Sequence, residues 1–379
     1  MNPKIWLSSP HMGGKEQEFI KEAFDTNWIA PLGPNVTGFE NDIAQYLGEE
    51  VHVAALSAGT AAIHLGLILL GIKAGDEVIC QSMTFSASAN PIAYLGASPI
   101  FIDSETDTWN MDPVFLEEAI LDRIQKNKKP KAIIVVHLYG MPAKIQEISA
   151  IAKKYEIPIL EDAAEALGSS INGVKCGTFG DISILSFNGN KIITTSGGGA
   201  LVSKNTDWVK KATFLATQAR DPAPHYQHSH IGYNYRMSNI CAGIGRGQMQ
   251  VLDERISQRR SNFNFYKEAL SKLEGFTFLK EPHGYFSNRW LTTILIDSAK
   301  AGVTREQIRL ALEKKNIECR PLWKPMHLQP IFASSLYFGK SVAKNLFEMG
   351  LCLPSGSNLR PEDLDAIVSN INKYQTICS

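Results

Sequence analysis

The chain has 379 residues, 44% of them hydrophobic and 20% charged, and this length suits two globular domains better than one. Its formal net charge is zero, which gives no electrostatic case for binding nucleic acid or an anionic membrane surface. The six scattered cysteines show neither metal-ligand spacing nor a dense disulfide framework, so we expect a reducing environment and no metal site.

The apolar stretch Ala54–Ile72 could be mistaken for a membrane-spanning helix. Ser57, Gly59 and His64 interrupt it, and it lacks aromatic or basic flanks. A buried strand, a turn and a buried helix explain the stretch better. The first ten residues also lack the apolar core of a signal peptide, so we expect a cytoplasmic protein without a membrane segment.

Short apolar runs alternate with helix-like segments between about residues 50 and 205. The predicted strands are Val51–Leu56, Glu77–Cys80, Pro99–Asp103, Ala132–Tyr139, Pro158–Asp162, Ile182–Phe187 and Ala200–Val202. Helices are predicted at Thr60–Leu70, Pro113–Gln125 and Lys144–Tyr155. Strands that are apolar throughout suit a sheet covered on both faces, so we expect an α/β domain with a mostly parallel sheet. Ligands of such sheets bind beyond the carboxyl ends of the strands.

The rest of the chain predicts a second, smaller unit. A long helical stretch without proline runs from Ser238 to about Leu273 and could bridge two domains. It is followed by predicted strands and helices at Trp290–Ile296, Thr304–Lys315, Ile317–Arg320 and Pro361–Tyr374. We therefore expect a large α/β domain at residues 1–250 and a small α+β domain at residues 251–379.

Lys191 and Asp162 carry the strongest chemical signal. Asp162 ends an apolar strand, and Lys191 lies in a loop rich in serine and glycine. A pyridoxal phosphate enzyme needs such a pair, because the lysine amine condenses with the cofactor aldehyde and the carboxylate keeps the pyridine nitrogen protonated. Each residue alone would equally suit a surface lysine or a helix-capping aspartate.

Two further segments favour the same cofactor. The turn Ser57–Thr60 follows a strand and opens a helix, so its free N–H groups suit a phosphate, although serine and glycine also make ordinary turns. Phe85 follows another strand and could stack on a planar ring, or belong to the core. The glycine-rich segment at residues 243–247 lacks the spacing and the preceding strand of a dinucleotide fingerprint, which argues against a nicotinamide enzyme.

In combination, these segments resemble the DegT/DnrJ/EryC1/StrS family of sugar aminotransferases, which are fold-type I pyridoxal phosphate enzymes. The resemblance extends over essentially the whole chain. The matching segments are Trp28–Pro34, Ser57–Thr60, Thr84–Phe85, Val136–Gly140, Glu161–Ser169, Ser186–Lys191, Gly232–Ser238 and Arg320–His327. The resemblance implies the fold-type I architecture and amino-group transfer to a nucleotide-linked keto-sugar.

The resemblance also implies roles around the cofactor. Lys191 would carry the cofactor covalently, and Asp162 would pair with its ring nitrogen. The phosphate would be bound by Gly59, Thr60 and Ser186.

Three further cofactor contacts follow from the same resemblance. Phe85 would stack on the ring, and Glu165 would lie near its phenolic oxygen, where a carboxylate and a phenolate repel unless one is protonated. Asn234 would reach the phosphate of a neighbouring subunit, which implies a homodimer with shared active sites.

A basic and aromatic rim is predicted to hold the sugar nucleotide. Arginine suits this task because its planar fork grips phosphate oxygens in pairs. The predicted members are Trp28, Arg220, Tyr226, Arg236, Arg320, Trp323, Lys324 and His327.

The segment Ser196–Gly199 departs from the Gly-Glu-Gly-Gly pattern common in the family. It resembles members that aminate C4 of UDP-linked, N-acetylated 4-keto-6-deoxy sugars, of the bacillosamine type, and L-glutamate would be the amino donor for surface glycan biosynthesis. Two alternatives stay open, a keto-sugar dehydratase and an inactive binding protein. Lys191 argues against the first, since dehydratases of this kind carry histidine there, and the presence of Lys191 and Asp162 argues against the second.

Overall fold

A computed structural model describes residues 3–48 and 50–378. Its strands are β1 (His52–Leu56), β2 (Glu77–Gln81), β3 (Ser98–Ile102), β4 (Ala132–Val136), β5 (Ile159–Asp162), β6 (Ser170–Ile171), β7 (Val174–Lys175), β8 (Ile182–Ser186), β9 (Gly199–Ser203), β10 (Phe276–Phe278), β11 (Tyr285–Phe286), β12 (Thr292–Ile296), β13 (Arg320–Pro321), β14 (Leu336–Phe338) and β15 (Gly350–Leu353).

The helices are distributed along the whole described chain. They are α1 (Glu16–Asp25), α2 (Pro34–Leu47), α3 (Gly59–Leu69), α4 (Asn90–Tyr94), α5 (Pro113–Gln125), α6 (Ile145–Lys154), α7 (Thr206–Ala216), α8 (Asn239–Met249), α9 (Leu252–Leu270), α10 (Ser298–Ala301), α11 (Arg305–Glu313), α12 (Val342–Met349) and α13 (Pro361–Cys378). Among the described residues, no helix combines the length and the hydrophobicity needed to cross a membrane.

The central sheet has eight strands in the order β1-β9-β8-β5-β4-β2-β3-β14. From β8 to β14 every neighbouring pair is parallel, and β9 alone runs against its neighbours β1 and β8. The carboxyl ends of β4, β5 and β8 therefore meet at one edge, which confirms the predicted α/β fold with a mainly parallel sheet.

Side chains of the central sheet alternate between two buried layers. On one face, residues such as Leu160 and Ile184 pack against α3 and α7. On the other face, Ile133 and Ile159 pack against α5 and α6, and Leu185 packs against α2. Burying one such side chain stabilises the fold by roughly 1.5–3 kcal/mol, and coverage on both faces is why the strands are apolar at every position.

The C-terminal part of the chain forms a second, antiparallel sheet in the order β10-β12-β15-β13. It packs with α9, α11 and α13 around a separate apolar cluster. Helix α9 belongs to both cores, because Leu252 and Ile256 join the central sheet whereas Phe263 and Leu270 join the second one. The domain boundary at residues 250 and 251 stays a prediction. It precedes α9, yet β14, from beyond it, completes the central sheet.

Several predicted elements have different limits in the structure. The strand expected to reach Tyr139 ends at Val136, because the chain turns into a 3-10 segment in which Tyr139 has a φ of 55°. The long helical stretch is two helices, α8 and α9, separated by a break at residues 250–251. The predicted strand Ile317–Arg320 was largely wrong, since only β13 pairs regularly, while Ile317 forms an isolated bridge with Ile5.

Candidate active site

A cavity of about 400 Å³ opens beyond the carboxyl ends of β4, β5 and β8, beside the N-terminus of α3. This volume lies within the range of small-molecule sites. Eight of the predicted residues line it: Gly59, Thr60, Phe85, Asp162, Glu165, Ser186, Lys191 and Trp323. Segments that are distant in sequence therefore meet in one place.

The start of α3 forms a phosphate-sized cradle at one end of the cavity. Ala58 is extended, α3 begins at Gly59, and no side chain caps its first turn. The leading N–H groups lack intrahelical partners, and the helix dipole is positive at this end, so the turn attracts an anion. A Cβ on Gly59 would lie 3.1 Å from the Cβ of Ser186, so glycine allows the helix terminus to approach the serine hydroxyl.

The glycines after Lys191 pack closely against the turn that begins α3. A side chain at Gly199 would collide with the backbone of Ala58 and Gly59, and one at Gly198 would collide with neighbouring side chains. Gly197 has open space where its Cβ would be. Glycine is therefore required at Gly199, where the neighbours are backbone, whereas a side chain at Gly198 would force Thr195 and Met237 to move. The open position is the one that holds glutamate in the Gly-Glu-Gly-Gly pattern.

Asp162 is a buried carboxylate at the end of β5. Its Oδ2 accepts a hydrogen bond from the Ser88 hydroxyl at 2.6 Å, and its Oδ1 accepts one from the Ala164 N–H at 3.1 Å. Burial raises the pKa of Asp162 above its ordinary value, although both hydrogen bonds and the charge of Lys191 oppose this. A buried carboxylate of this kind gains from a cationic partner inside the cavity.

The residue before Asp162 anchors this end of the sheet. Glu161 is buried, and it accepts hydrogen bonds from His137 Nε2 at 2.8 Å, from the Ser183 hydroxyl and from three backbone N–H groups. Burial works to raise the pKa of Glu161, but these hydrogen bonds outweigh it and lower the pKa. Because His137 follows β4, the pair joins two strand ends and holds Asp162 in register.

Lys191 lies close to a second buried carboxylate of the cavity, that of Glu165. Its Nζ lies 3.6 Å from Glu165 Oε1, while Glu165 Oε2 accepts the Tyr139 N–H at 2.6 Å. Burial raises the pKa of Glu165, and the charge of Lys191 opposes this rise. Glu165 therefore lies beside the lysine amine, with one of its oxygens held by a backbone donor.

Aromatic rings form one wall of the cavity. Tyr139 lies between Trp290 and Trp323, with ring centroids 6.3 Å and 5.9 Å away and nearly parallel planes. The Tyr139 hydroxyl accepts a hydrogen bond from the backbone N–H of Trp323 at 2.7 Å. Of these rings, Trp290 and Trp323 line the cavity, whereas Tyr139 is buried outside the lining. Sequence reasoning missed Trp290, because a tryptophan at the start of a strand gives the same signal as ordinary core packing.

The residues present fit pyridoxal phosphate. The uncapped helix terminus offers donors to the phosphate, the buried carboxyl of Asp162 can pair with a protonated ring nitrogen, and Lys191 supplies the amine. Phe85 is 51% exposed in the cavity wall, which leaves an aromatic face available to a planar ring. Each part of the cofactor therefore has a matching group in one cavity.

Five other predicted residues lie outside the cavity lining. Asn234 is exposed, and its Oδ1 accepts a hydrogen bond from the Gln218 side chain. Arg220 stacks on the ring of Tyr226, which is exposed, as are Trp28 and Lys324. Within one chain the structure does not bring these side chains to Lys191, and their roles stay predictions.

Three further predicted rim residues also lie outside the cavity lining and contact other groups of the chain. Arg236 forms an ion pair with Glu40 and donates to a backbone carbonyl of β1 at 2.9 Å. Arg320 is exposed and pairs with Glu318 two residues away, at 2.8 Å. The His327 ring is 2.6 Å from the Ser82 hydroxyl and stacks on Tyr337. Within one chain these three side chains do not line the cavity, and their roles in the rim stay predictions.

Comparisons with known proteins agree with this site. The model of the DegT/DnrJ/EryC1/StrS aminotransferase family matches residues 10–372. A Bacillus subtilis (strain 168) protein, EpsN, described as a proposed pyridoxal phosphate-dependent aminotransferase, is 52% identical over 97% of this chain and 95% of its own length. GDP-perosamine synthase of Escherichia coli O157:H7 is 39% identical over 98% of both chains. The crystal structure of a DegT DnrJ EryC1 StrS aminotransferase from Brucella abortus has a TM-score of 0.88 at 30% identity, covering 95% of both chains.

Proposed function

The chain belongs to the DegT/DnrJ/EryC1/StrS aminotransferase family, and from this premise we propose that it transfers an amino group from L-glutamate to C4 of a nucleotide-linked 4-keto-6-deoxy sugar. The cofactor is pyridoxal phosphate, as in the relative named for dependence on it. The observation that carries the proposal is the convergence of Lys191, Asp162 and the start of α3 on one cavity.

The cavity residues have separable tasks in such a reaction. When bound, pyridoxal phosphate supplies an aldehyde for amines and a ring that withdraws electrons. The start of α3 and Ser186 bind the phosphate, and Asp162 holds the proton of the ring nitrogen. Lys191 Nζ moves a proton at the substrate carbon, with the aromatic wall excluding water. Because substrate and lysine are held together in one cavity, the transfer gains the rate advantage of proximity.

The nucleotide is the finer part of the proposal. The serine and glycine run after Lys191 resembles UDP-sugar enzymes, and UDP is our first candidate. GDP is the second, because a relative with 39% identity over 98% of both chains is named GDP-perosamine synthase. In either case the product is an amino sugar suited to surface glycan biosynthesis.

A panel of UDP-, dTDP- and GDP-linked 4-keto-6-deoxy sugars, each incubated with enzyme and glutamate and read by mass spectrometry, tests the proposal. We expect one nucleotide series to yield an amino sugar together with 2-oxoglutarate, and Lys191→Ala to yield neither. A dehydrated sugar without amine incorporation would support the dehydratase instead. Cofactor binding without turnover of any sugar would support an inactive binding protein.

The proposal includes a homodimer whose two active sites are shared. Three large apolar side chains, Trp28, Ile29 and Leu32, are exposed close together in sequence, and Ile231 is 83% exposed shortly before Asn234. Exposed apolar groups of this kind favour a protein interface. A second chain covering them could receive Asn234, which lies outside the cavity of its own chain.

Subunit mixing tests this sharing. Lys191→Ala and Asn234→Ala proteins, each inactive alone, should regain activity when their subunits exchange, because one of the two sites then has both residues intact. The matched control mixes Lys191→Ala with Asp162→Asn, whose lesions lie in the cavity of their own chains, so no site is repaired. Demonstrated exchange without recovery in the first mixture would contradict a shared site.

A further inference from the structure

Two hydrogen-bond donors from distant parts of the chain converge on the residue before Lys191. The indole Nε1–H of Trp290 donates to the backbone carbonyl of Asn190 at 2.7 Å. The hydroxyl of Ser8 donates to the same carbonyl at 2.8 Å. Two donors on one carbonyl fix the peptide plane from which the lysine side chain leaves.

Both donors are themselves held by one arginine of α9. Arg259 Nη1 donates to the Trp290 carbonyl at 2.6 Å, and Arg259 Nη2 donates to the Ser8 hydroxyl at 3.0 Å. Arg259 is 1% exposed, and its other hydrogen bond is to the carbonyl of Ser355. Among the described residues no carboxylate pairs with Arg259, so a buried cation is kept at a desolvation cost in order to hold these segments together.

The face of the same indole receives the lysine amine. Lys191 Nζ lies 4.2 Å from the centroid of the Trp290 ring, a distance at which a cation is attracted to the π-system. The ring cannot tilt freely, because Tyr139 stacks on it and the Trp290 backbone N–H donates to Asn288 Oδ1 at 2.8 Å. Trp290 therefore contacts both the backbone that precedes the lysine and the end of its side chain.

We propose that Trp290 is a positioning residue for Lys191, and that Ser8 and Arg259 complete a clamp on the Asn190 carbonyl. The proposal rests on the proposed role of Lys191 as the lysine that bonds to the cofactor. Lysine has a flexible four-carbon stem with many rotamers. A lysine that bonds to the cofactor and is later released gains from a fixed backbone and a defined resting place for its free amine.

The test compares two ligands of the cofactor-free protein. Pyridoxal phosphate bonds covalently to the lysine, whereas pyridoxamine phosphate has no aldehyde and binds without that bond. Trp290→Phe keeps an aromatic ring, smaller than the indole, and removes the N–H. We expect it to slow covalent attachment of pyridoxal phosphate, followed by absorbance, about fivefold, as loss of one net hydrogen bond implies. Because Trp290 also lines the cavity, the affinity of the variant for pyridoxamine phosphate should fall by a smaller factor than its rate of covalent attachment.

Two further variants separate the parts of the clamp. Ser8→Ala removes the second donor, together with the acceptor of Arg259 Nη2, and leaves every cavity-lining side chain in place. It should slow attachment by a similar factor even if Trp290→Phe proves unstable. Trp290→Leu also removes the ring and should slow attachment more, by roughly tenfold or above. Trp208→Phe, in α7 and outside the cavity lining, is the matched control. It should change neither the rate of pyridoxal phosphate attachment nor the affinity for pyridoxamine phosphate.

The outcomes distinguish this inference from the proposed function. Borohydride trapping followed by peptide mapping shows whether Lys191 is the attached residue; a different lysine would contradict the proposed function itself. If Lys191 is attached but Trp290→Phe and Ser8→Ala react at the wild-type rate, the clamp is wrong. An equal loss of affinity for both ligands would also overturn it, because that result indicates general damage to the cavity.

Discussion

Replacing Asp162 with asparagine should remove activity while making the cofactor-free protein more stable at neutral pH. Asparagine can still accept the Ala164 N–H, and the Ser88 hydroxyl can rotate to accept from the new amide. The variant therefore keeps both hydrogen bonds but exchanges charge-assisted ones for neutral ones, which costs about 1 kcal/mol. Removing a buried charge recovers several kcal/mol of desolvation, part of which is offset by the lost attraction to Lys191, so we expect a net gain of about 1–2 kcal/mol.

The pH dependence of this gain follows from the raised pKa of Asp162, whose ordinary value is 3.8. Because the pKa is higher in the folded protein, the folded state binds this proton more tightly, and wild-type stability falls as the pH rises from about 4 through the folded pKa. Asparagine does not titrate. The stabilisation of the variant should therefore be smallest below about pH 4 and should grow as the pH rises through the folded pKa.

Thermal unfolding of the cofactor-free protein, at fixed protein concentration and several pH values, measures this effect. A gain of 1–2 kcal/mol should raise the Tm by about 1–3 °C in a chain of this size. In the loaded enzyme the single-turnover rate with glutamate should fall about 10²–10³-fold. Asp112→Asn, at the N-cap of α5, is the matched control and should change neither quantity, since both residues cap well. A lower Tm at neutral pH with activity retained would refute the reasoning.

Further expectations concern the lysine, the glycine run and the rim. Lys191→Ala should bind pyridoxal phosphate noncovalently, without the visible band that borohydride removes, and should lose turnover by about three or more orders of magnitude, as measured in single-turnover assays. Gly199→Ala should lower the free energy of unfolding by about 1–3 kcal/mol and weaken cofactor binding, because the new Cβ meets backbone atoms. Gly197→Ala should leave the free energy of unfolding unchanged, since its Cβ enters open space, and denaturant titrations of both variants measure the difference. Lys324→Ala should raise the KM for the nucleotide sugar and spare the glutamate half-reaction, whereas Lys344→Ala, at an exposed ion pair of α12, should leave steady-state kinetics unchanged.

The sequence by itself predicted the α/β architecture and the centre of the site. Runs that are apolar at every position, such as the segment that became β4, indicate strands buried on both faces. Lys191 and Asp162 follow strands, and so does the turn at Gly59. Because the carboxyl ends of parallel strands share an edge, local patterns were enough to place these groups together.

The tertiary structure alone decided which long side chains reach the cavity. Arg236 has the chemistry of a phosphate rim, yet within one chain it pairs with Glu40, which lies 196 residues away in sequence. The same reasoning overlooked Trp290, which lies 100 residues from Asn190 in sequence but donates a hydrogen bond to it. Periodicity and motifs report local conformation and burial, whereas the partner of a flexible or buried polar group depends on packing between distant segments.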